Sequence, residues 1–187
     1  MSLPESNPSL KKIERRLENS GLYYLQRYTS SKANFEEVMR RKILKWDLSD
    51  KITNDQISNL LSALIQKFES LKYLNDTQYA LMKIRSSFAS GKSKRWIEQY
   101  LTQKSLSKED IQEAYALYCE EVNRDEDDTF NPDHEAAVRY AMKKRLGPYS
   151  RKQDLPPELL QKHLARLVRA GFTYNLAKRI LTTPLPE

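Results

Sequence analysis

The sequence predicts an all-α protein built from tandem three-helix repeats, stacked into an elongated, curved body. Three observations carry this expectation. Apolar residues recur at three- and four-residue spacing through most of the chain, and no segment sustains the alternation of a strand. Glycine is scarce, with 4 in 187 residues, too few for a β-rich fold full of tight turns. One design also recurs: a helix ends, a small residue follows (Ser105, Gly171), then an apolar one (Leu106, Phe172), then a hydroxyl cap (Ser107, Thr173). The pair Ile52-Thr53 fits the same design. Small helical units repeated in this way bury their shared faces by stacking on neighbours.

The elements follow in order. Residues 1–8, rich in Pro and Ser, are expected as a flexible tail. Residues 9–74 form repeat 1. Its first helix carries Leu10, Ile13, Leu17, Tyr24 and Tyr28 as an apolar stripe, and its second carries Phe35, Val38, Met39, Ile43 and Trp46. In the second helix Arg40, Arg41, Lys42 and Lys45 lie largely opposite that stripe. The third is the clearest, with Ile57, Leu60, Leu61, Leu64, Ile65, Phe68 and Leu71, and with Thr53 and Gln56 spaced as a capping box. Residues 75–122 form repeat 2. Asn75 caps its first helix, Ser93 opens a helix that buries Trp96, Ile97, Tyr100 and Leu101, and Ser107 opens one that buries Ile111, Ala114, Tyr115 and Tyr118. Residues 123–132 are an acidic linker, and residues 133–183 form repeat 3, broken at Gly147-Pro148 and Pro156-Pro157 and turned at Gly171.

Charge narrows the function. The net charge is +7 and the pI about 9.3, yet Glu120, Glu121, Asp125, Glu126, Asp127, Asp128 and Asp133 crowd one segment against Arg124 alone. The rest of the chain is therefore more basic than the total suggests, which suits a polyanion or an acidic protein surface. The single cysteine, Cys119, precludes an internal disulfide, and its neighbours Tyr115, Tyr118 and Val122 place it on a packed helix face. The N-terminus has no apolar core of a signal peptide, and no run approaches the length of a membrane span, so a cytoplasmic protein with no membrane partner is expected.

The stretch Ser86–Trp96, SSFASGKSKRW, ends in the Gly-Lys-Ser of a phosphate-binding loop. The loop needs a glycine five residues before Gly91, so that the backbone can curl its N–H groups toward a phosphate, and Ser86 stands there. A helix precedes the tripeptide where a strand is required. Gly91 is thus expected in a helix–helix turn, with Ser93 as the next cap. No cofactor is expected. His134 and His163 are far apart without clustered Cys or acids, so no metal site is expected. The acidic run Asp125–Asp128 lacks the spacing and glycine of a calcium loop. No nucleophile–base arrangement stands out, so no catalytic residue is nominated and an enzyme is not expected.

The stretch SLKYLNDTQYALMKIRSSFASGKSKRWIEQYLTQKSLS resembles the signature region of the RecX family, bacterial regulators of the RecA recombinase. The resemblance rests on Tyr73, Leu74, Asn75, Asp76, Tyr79, Ala80, Gly91, Ser93, Ile97, Leu101 and Lys104, in that order. Upstream, YYLQRYTSSKANFEEVMRRKI is similar to the first repeat of that family. Downstream, RYAMKKRLGPY and LVRAGFTYNLAKRIL are similar to the third repeat of its longer members. There are three departures: Lys72 stands where the family has glycine before the Tyr-Leu pair, Ser105 stands for the glycine after Lys104, and KWDLSDKIT replaces the first Lys-Gly turn. Physically, Leu74, Asn75, Asp76, Tyr79, Ala80, Gly91, Ile97 and Leu101 are expected to cap and pack.

The resemblance implies a non-enzymatic regulator in DNA repair, recombination and the SOS response. It would bind a RecA-type recombinase filament as a monomer and lower its ATPase and strand exchange, reaching DNA through the filament or weakly by itself. Direct nucleic-acid binding without a recombinase is the alternative. The candidate contact residues are basic: Lys92, Lys94 and Arg95 at the start of one helix, and Arg139, Lys143, Lys144 and Arg145 on another.

Overall fold

The computed structural model describes residues 8–46, 52–122, 131–151 and 155–183. Among them are nine α-helices and no strand, in three successive triplets. The expected tail and most of the expected acidic linker, residues 1–7 and 123–130, lie outside the described residues.

Helices α1 (Pro8–Leu25), α2 (Lys32–Leu44) and α3 (Asn54–Ser70) make the first triplet. Their apolar stripes converge on Ile13, Leu17, Phe35, Met39, Ile43, Ile57, Leu61, Leu64 and Phe68. Phe35 sits 5.6 Å from Phe68, ring centre to ring centre, directly over Gly21 of α1. Ser31 caps α2 by accepting the N–H of Asn34. Thr53 and Gln56 close the capping box on α3.

Helices α4 (Asp76–Ala89), α5 (Lys94–Gln103) and α6 (Lys108–Val122) make the second triplet, and α7 (Pro132–Lys144), α8 (Pro157–Arg169) and α9 (Tyr174–Thr182) the third. A 3-10 turn, Gly147–Tyr149, packs on α9. Asn75, Ser93, Ser107, Asn131 and Thr173 each accept a backbone N–H from the first turn they open. Helix α8 opens without a side-chain cap, on Pro156 and Pro157.

Five helices end in the same closure, in which a left-handed residue lets two successive N–H groups turn back onto the last helical carbonyls. Those residues are Lys72, Gly91, Ser105, Arg145 and Gly171. After Ser105, for example, the N–H of Leu106 reaches the carbonyl of Leu101, while that of Ser105 reaches Thr102. The apolar residue that follows (Leu106, Leu146, Phe172) is then buried.

The chain divides into two compact units, up to Tyr79 and from Ala80. The division falls inside α4 because its first turn is held by the first triplet. The Asp76 carboxylate accepts the N–H of Lys32 at 2.8 Å, and Leu74 belongs to the first core.

Several positions expected in the core or on a packed face turn out otherwise, among them Tyr115 and Tyr118, which stay half-buried. Tyr28 lies beyond the end of α1 and is exposed, and Leu71 is exposed where α3 closes. Trp96 and Tyr100 stay half-buried, stacked on each other at 5.3 Å. Cys119 is exposed and not on a packed face: the buried side of α6 runs through Ile111 and Ala114, and Cys119 lies one position past Tyr118.

Candidate functional site

The residues of the Gly-Lys-Ser tripeptide form a joint between helices. The chain at Gly91 has φ +77°, and a Cβ there would stand 3.0 Å from the backbone nitrogen of Tyr140 on α7. Ser93, fully buried, caps α5 through its Oγ and donates its hydroxyl to the carbonyl of Ala170 at the end of α8. Gly91 and Ser93 thus seat α7 and α8 against the α4–α5 turn.

The basic residues flank this joint. Lys92 is exposed, its Nζ 4.4 Å from the centre of the Trp96 ring. Arg95 is exposed on α5 beside the Gly171 turn. Arg139 reaches back from α7 to the carbonyl of Phe88. Lys143 follows Arg139 by one turn on the same face of α7, and Lys144 and Arg145 complete its exposed end. There they complement the partial negative charge of the helix C-terminus.

Lys94 differs from its neighbours. Its backbone N–H is held by Asp133 at 2.7 Å, and its ammonium lies 3.9 Å from Glu98 and 5.1 Å from the centre of the Tyr115 ring. It is committed to internal contacts more than Lys92 or Arg95. Beside it a cavity of about 250 Å³ is lined by Phe88, Tyr115, Tyr118, Cys119 and Asp133. Burial raises the phenol pKa of Tyr115 and Tyr118. Burial also raises the carboxyl pKa of Asp133 above 3.8, against the opposing pull of the Lys94 N–H and ammonium.

Arg166 and Arg169 are not among the residues that the sequence singles out. Both are exposed in the last turn of α8, whose terminal carbonyl is the one that Ser93 holds. Their signal was present as a basic pair three residues apart before a turn glycine. Only the joint shows that this helix end meets α5.

The family-signature positions are placed as follows. Leu74, Asp76, Tyr79, Ala80, Ile97 and Leu101 are buried; Asn75 is an exposed cap; Gly91 is at the joint. Among the described residues no three His, Cys, Asp or Glu gather as a metal site. Among them also, no helix is long and apolar enough to cross a membrane.

The architecture defines a class: tandem three-helix repeat proteins, here with cations gathered where the second and third triplets meet. Residues 75–114 match the model of the second three-helix domain of RecX. A regulatory protein RecX of Myxococcus xanthus is 34% identical over 168 residues, covering 88% of this chain and 83% of that protein. Another, of Agrobacterium fabrum, is 29% identical over 170 residues, covering 90% and 83%. The crystal structure of RecX from Lactobacillus salivarius superposes with a TM-score of 0.64 at 22% identity, over 91% of this chain and 96% of that one. The chain belongs to the RecX family, a family of regulatory proteins.

Proposed function

We propose that this protein binds the filament of a RecA-type recombinase and lowers its ATPase and strand-exchange activity, without catalysing a reaction itself. The observation that carries this reading is the cationic surface around Gly91 and Ser93. Exposed Lys92, Arg95 and Arg139 border the meeting of the second and third triplets, and Lys143, Lys144 and Arg145 continue it along α7. A filament presents repeated protein surface together with nucleic-acid phosphate, so a cationic face borne on a rigid repeat scaffold suits it. The relatives named as RecX regulators support the regulatory half of the reading. The test is a titration of this protein into RecA on single-stranded DNA, following ATP hydrolysis. Hydrolysis is expected to fall with dose and to recover as salt is raised. Unchanged hydrolysis at saturating protein and low salt would overturn the reading.

A further inference from the structure

Helix α1 segregates its charge. Its core side carries Ile13, Leu17 and Gly21. On one flank Glu18 pairs with Lys67 of α3 at 2.7 Å. On the other, Lys12, Arg15, Arg16, Asn19, Ser20 and Tyr23 recur at three- and four-residue spacing and form one stripe. That stripe and Lys42 of α2 line a groove of about 470 Å³, with no acidic side chain among its described lining residues.

The groove has internal order. The Arg16 guanidinium lies 4.2 Å from the centre of the Trp46 ring, and Lys42 Nζ lies 3.5 Å from the carbonyl of Ser20. Lys12 and Arg15 are exposed and have no ion pair among the described residues. At the far end Tyr23 is 53% exposed, with Arg27 stacked on its ring at 4.2 Å. Neighbouring cations on α2 are spent differently: Arg40 and Arg41 pair with Glu36 and Glu37 one turn back. Four cations therefore converge on the groove without an acid in its lining.

We infer that this groove binds the sugar–phosphate backbone of single-stranded nucleic acid, with a base stacked at Tyr23. The stripe from Lys12 to Tyr23 is ~16 Å long at the rise of an α-helix, enough for a few phosphates. Arginine forks match phosphate oxygens two at a time, and the amide of Asn19 and the hydroxyl of Ser20 add donors between them. An exposed aromatic ring at the end of a cationic track is how sequence-independent single-strand sites hold bases. A duplex keeps its bases stacked and offers none to the ring. An acidic peptide offers charge but no flat partner. The site lies wholly in the first triplet, on α1 and α2.

The experiment is fluorescence anisotropy of a labelled twelve-residue oligothymidylate with the full chain and no recombinase, over a range of salt. Arg15→Glu with Lys42→Glu is expected to weaken binding at least tenfold. Arg15→Ala with Lys42→Ala should lower the magnitude of the salt slope by ~1.4, at about 0.7 per phosphate contact on a single strand. Tyr23→Ala is expected to weaken binding about fivefold, the worth of one stacked base, with the salt slope retained. Lys108→Glu with Lys178→Glu, equal in charge but far along the chain, is the control and should bind nearly as wild type. Circular dichroism establishes that each variant is folded, and the alanine variants serve if charge reversal disrupts α1. The proposal is overturned if the groove variants bind like the control. It is overturned equally if an equal-length duplex or polyglutamate binds as tightly as the oligothymidylate.

Discussion

Asp133 Oδ1 accepts the backbone N–H of Lys94 at 2.7 Å, and Asp76 Oδ1 accepts that of Lys32 at 2.8 Å. In both cases an acid just after an Asn cap, on the first helix of one triplet, meets the first N–H of the second helix of the triplet before it. The repeat is therefore one of helices and also of the bond that joins triplets. A helix N-terminus has unpaired N–H groups and partial positive charge, so a carboxylate there satisfies both. The third triplet opens its second helix on Pro157, which has no N–H to offer.

The two acids should respond differently to substitution. Asp76 is only 5% exposed, so Asp76→Ala strands the partly buried N–H of Lys32 and is expected to cost about 1–3 kcal/mol in urea unfolding. Asp133 is half-buried with its carboxyl pKa raised above 3.8. A raised folded pKa in an acid means that the native state binds protons more readily than the unfolded chain. That contribution to stability is present at low pH and is lost as pH rises through the folded value. Asp133→Asn keeps an acceptor for Lys94 without the charge. It is expected to be at least as stable as wild type at pH 7, with the two converging below pH 3.8. A clear loss of stability in Asp133→Asn at pH 7 would refute this account.

His163 supplies a second pH dependence of opposite sign. Its Nδ1 accepts the N–H of Gly147 at 3.0 Å, so the ring is held neutral. Burial lowers its pKa from 6.5, and Arg166 lowers it further. A base with a lowered folded pKa contributes stability above its unfolded value, and this is lost as pH falls through 6.5. Thermal unfolding midpoints should be level above pH 7 and drop as pH falls below 6.5, measured against His163→Asn, which keeps an acceptor but does not titrate. Identical pH profiles for the two proteins would show that the Gly147 bond is indifferent to the proton.

How much of this was legible in the sequence follows from the range of each interaction. Helix existence and the caps Asn75, Ser93, Ser107 and Thr173 are local matters, decided within one turn, and the structure has all of them. The recurring small–apolar–hydroxyl pattern also survives, because left-handed closure and capping are both local. Leu71 and Tyr28 were misjudged because a stripe's last member can project past the partner it packs on. The role of Gly91 as a seat for α7, the contact of Lys94 with the Tyr115 ring, and the place of Arg166 and Arg169 beside α5 all depend on residues about 20–80 positions away. Periodicity has no access to those pairings.

The two departures from family glycine have a measurable consequence. Lys72 and Ser105 both have positive φ, at 62° and 60°. A side chain there crowds the following carbonyl, at about 1–2 kcal/mol, and glycine gives back part of that relief as entropy in the unfolded chain. Lys72→Gly and Ser105→Gly are each expected to stabilise by about 0.5–1 kcal/mol. Gly91→Ala should act in the opposite direction by more than ~1 kcal/mol, because its Cβ would add a close approach to the Tyr140 backbone. Urea midpoints at constant slope decide both. Unchanged midpoints in the two glycine variants would mean that neither turn is strained.

The last prediction concerns the cationic joint. Charge reversal at Lys92, Lys94 and Arg95, or at Lys143, Lys144 and Arg145, is expected to weaken inhibition of RecA. The helices should survive, since all six are exposed and such substitutions shift stability by about half a kcal/mol each. Within the first set Lys92 and Arg95 should carry most of the effect. Lys94→Glu alone would also place a carboxylate beside Glu98 and Asp133, so its loss is read with Lys92→Glu/Arg95→Glu as the reference. Loss of long-range attraction should slow association and flatten its salt dependence, raising the midpoint of inhibition about tenfold at low salt and less at high salt. If Arg166 and Arg169 belong to the same face, reversing them should add to the defect of the α7 set. The measurement is ATP hydrolysis by RecA on single-stranded DNA, with each folded variant titrated at several salt concentrations. A merely solvated surface gives wild-type midpoints throughout. If folded variants of both sets inhibit as wild type does, the recombinase is met elsewhere on the protein.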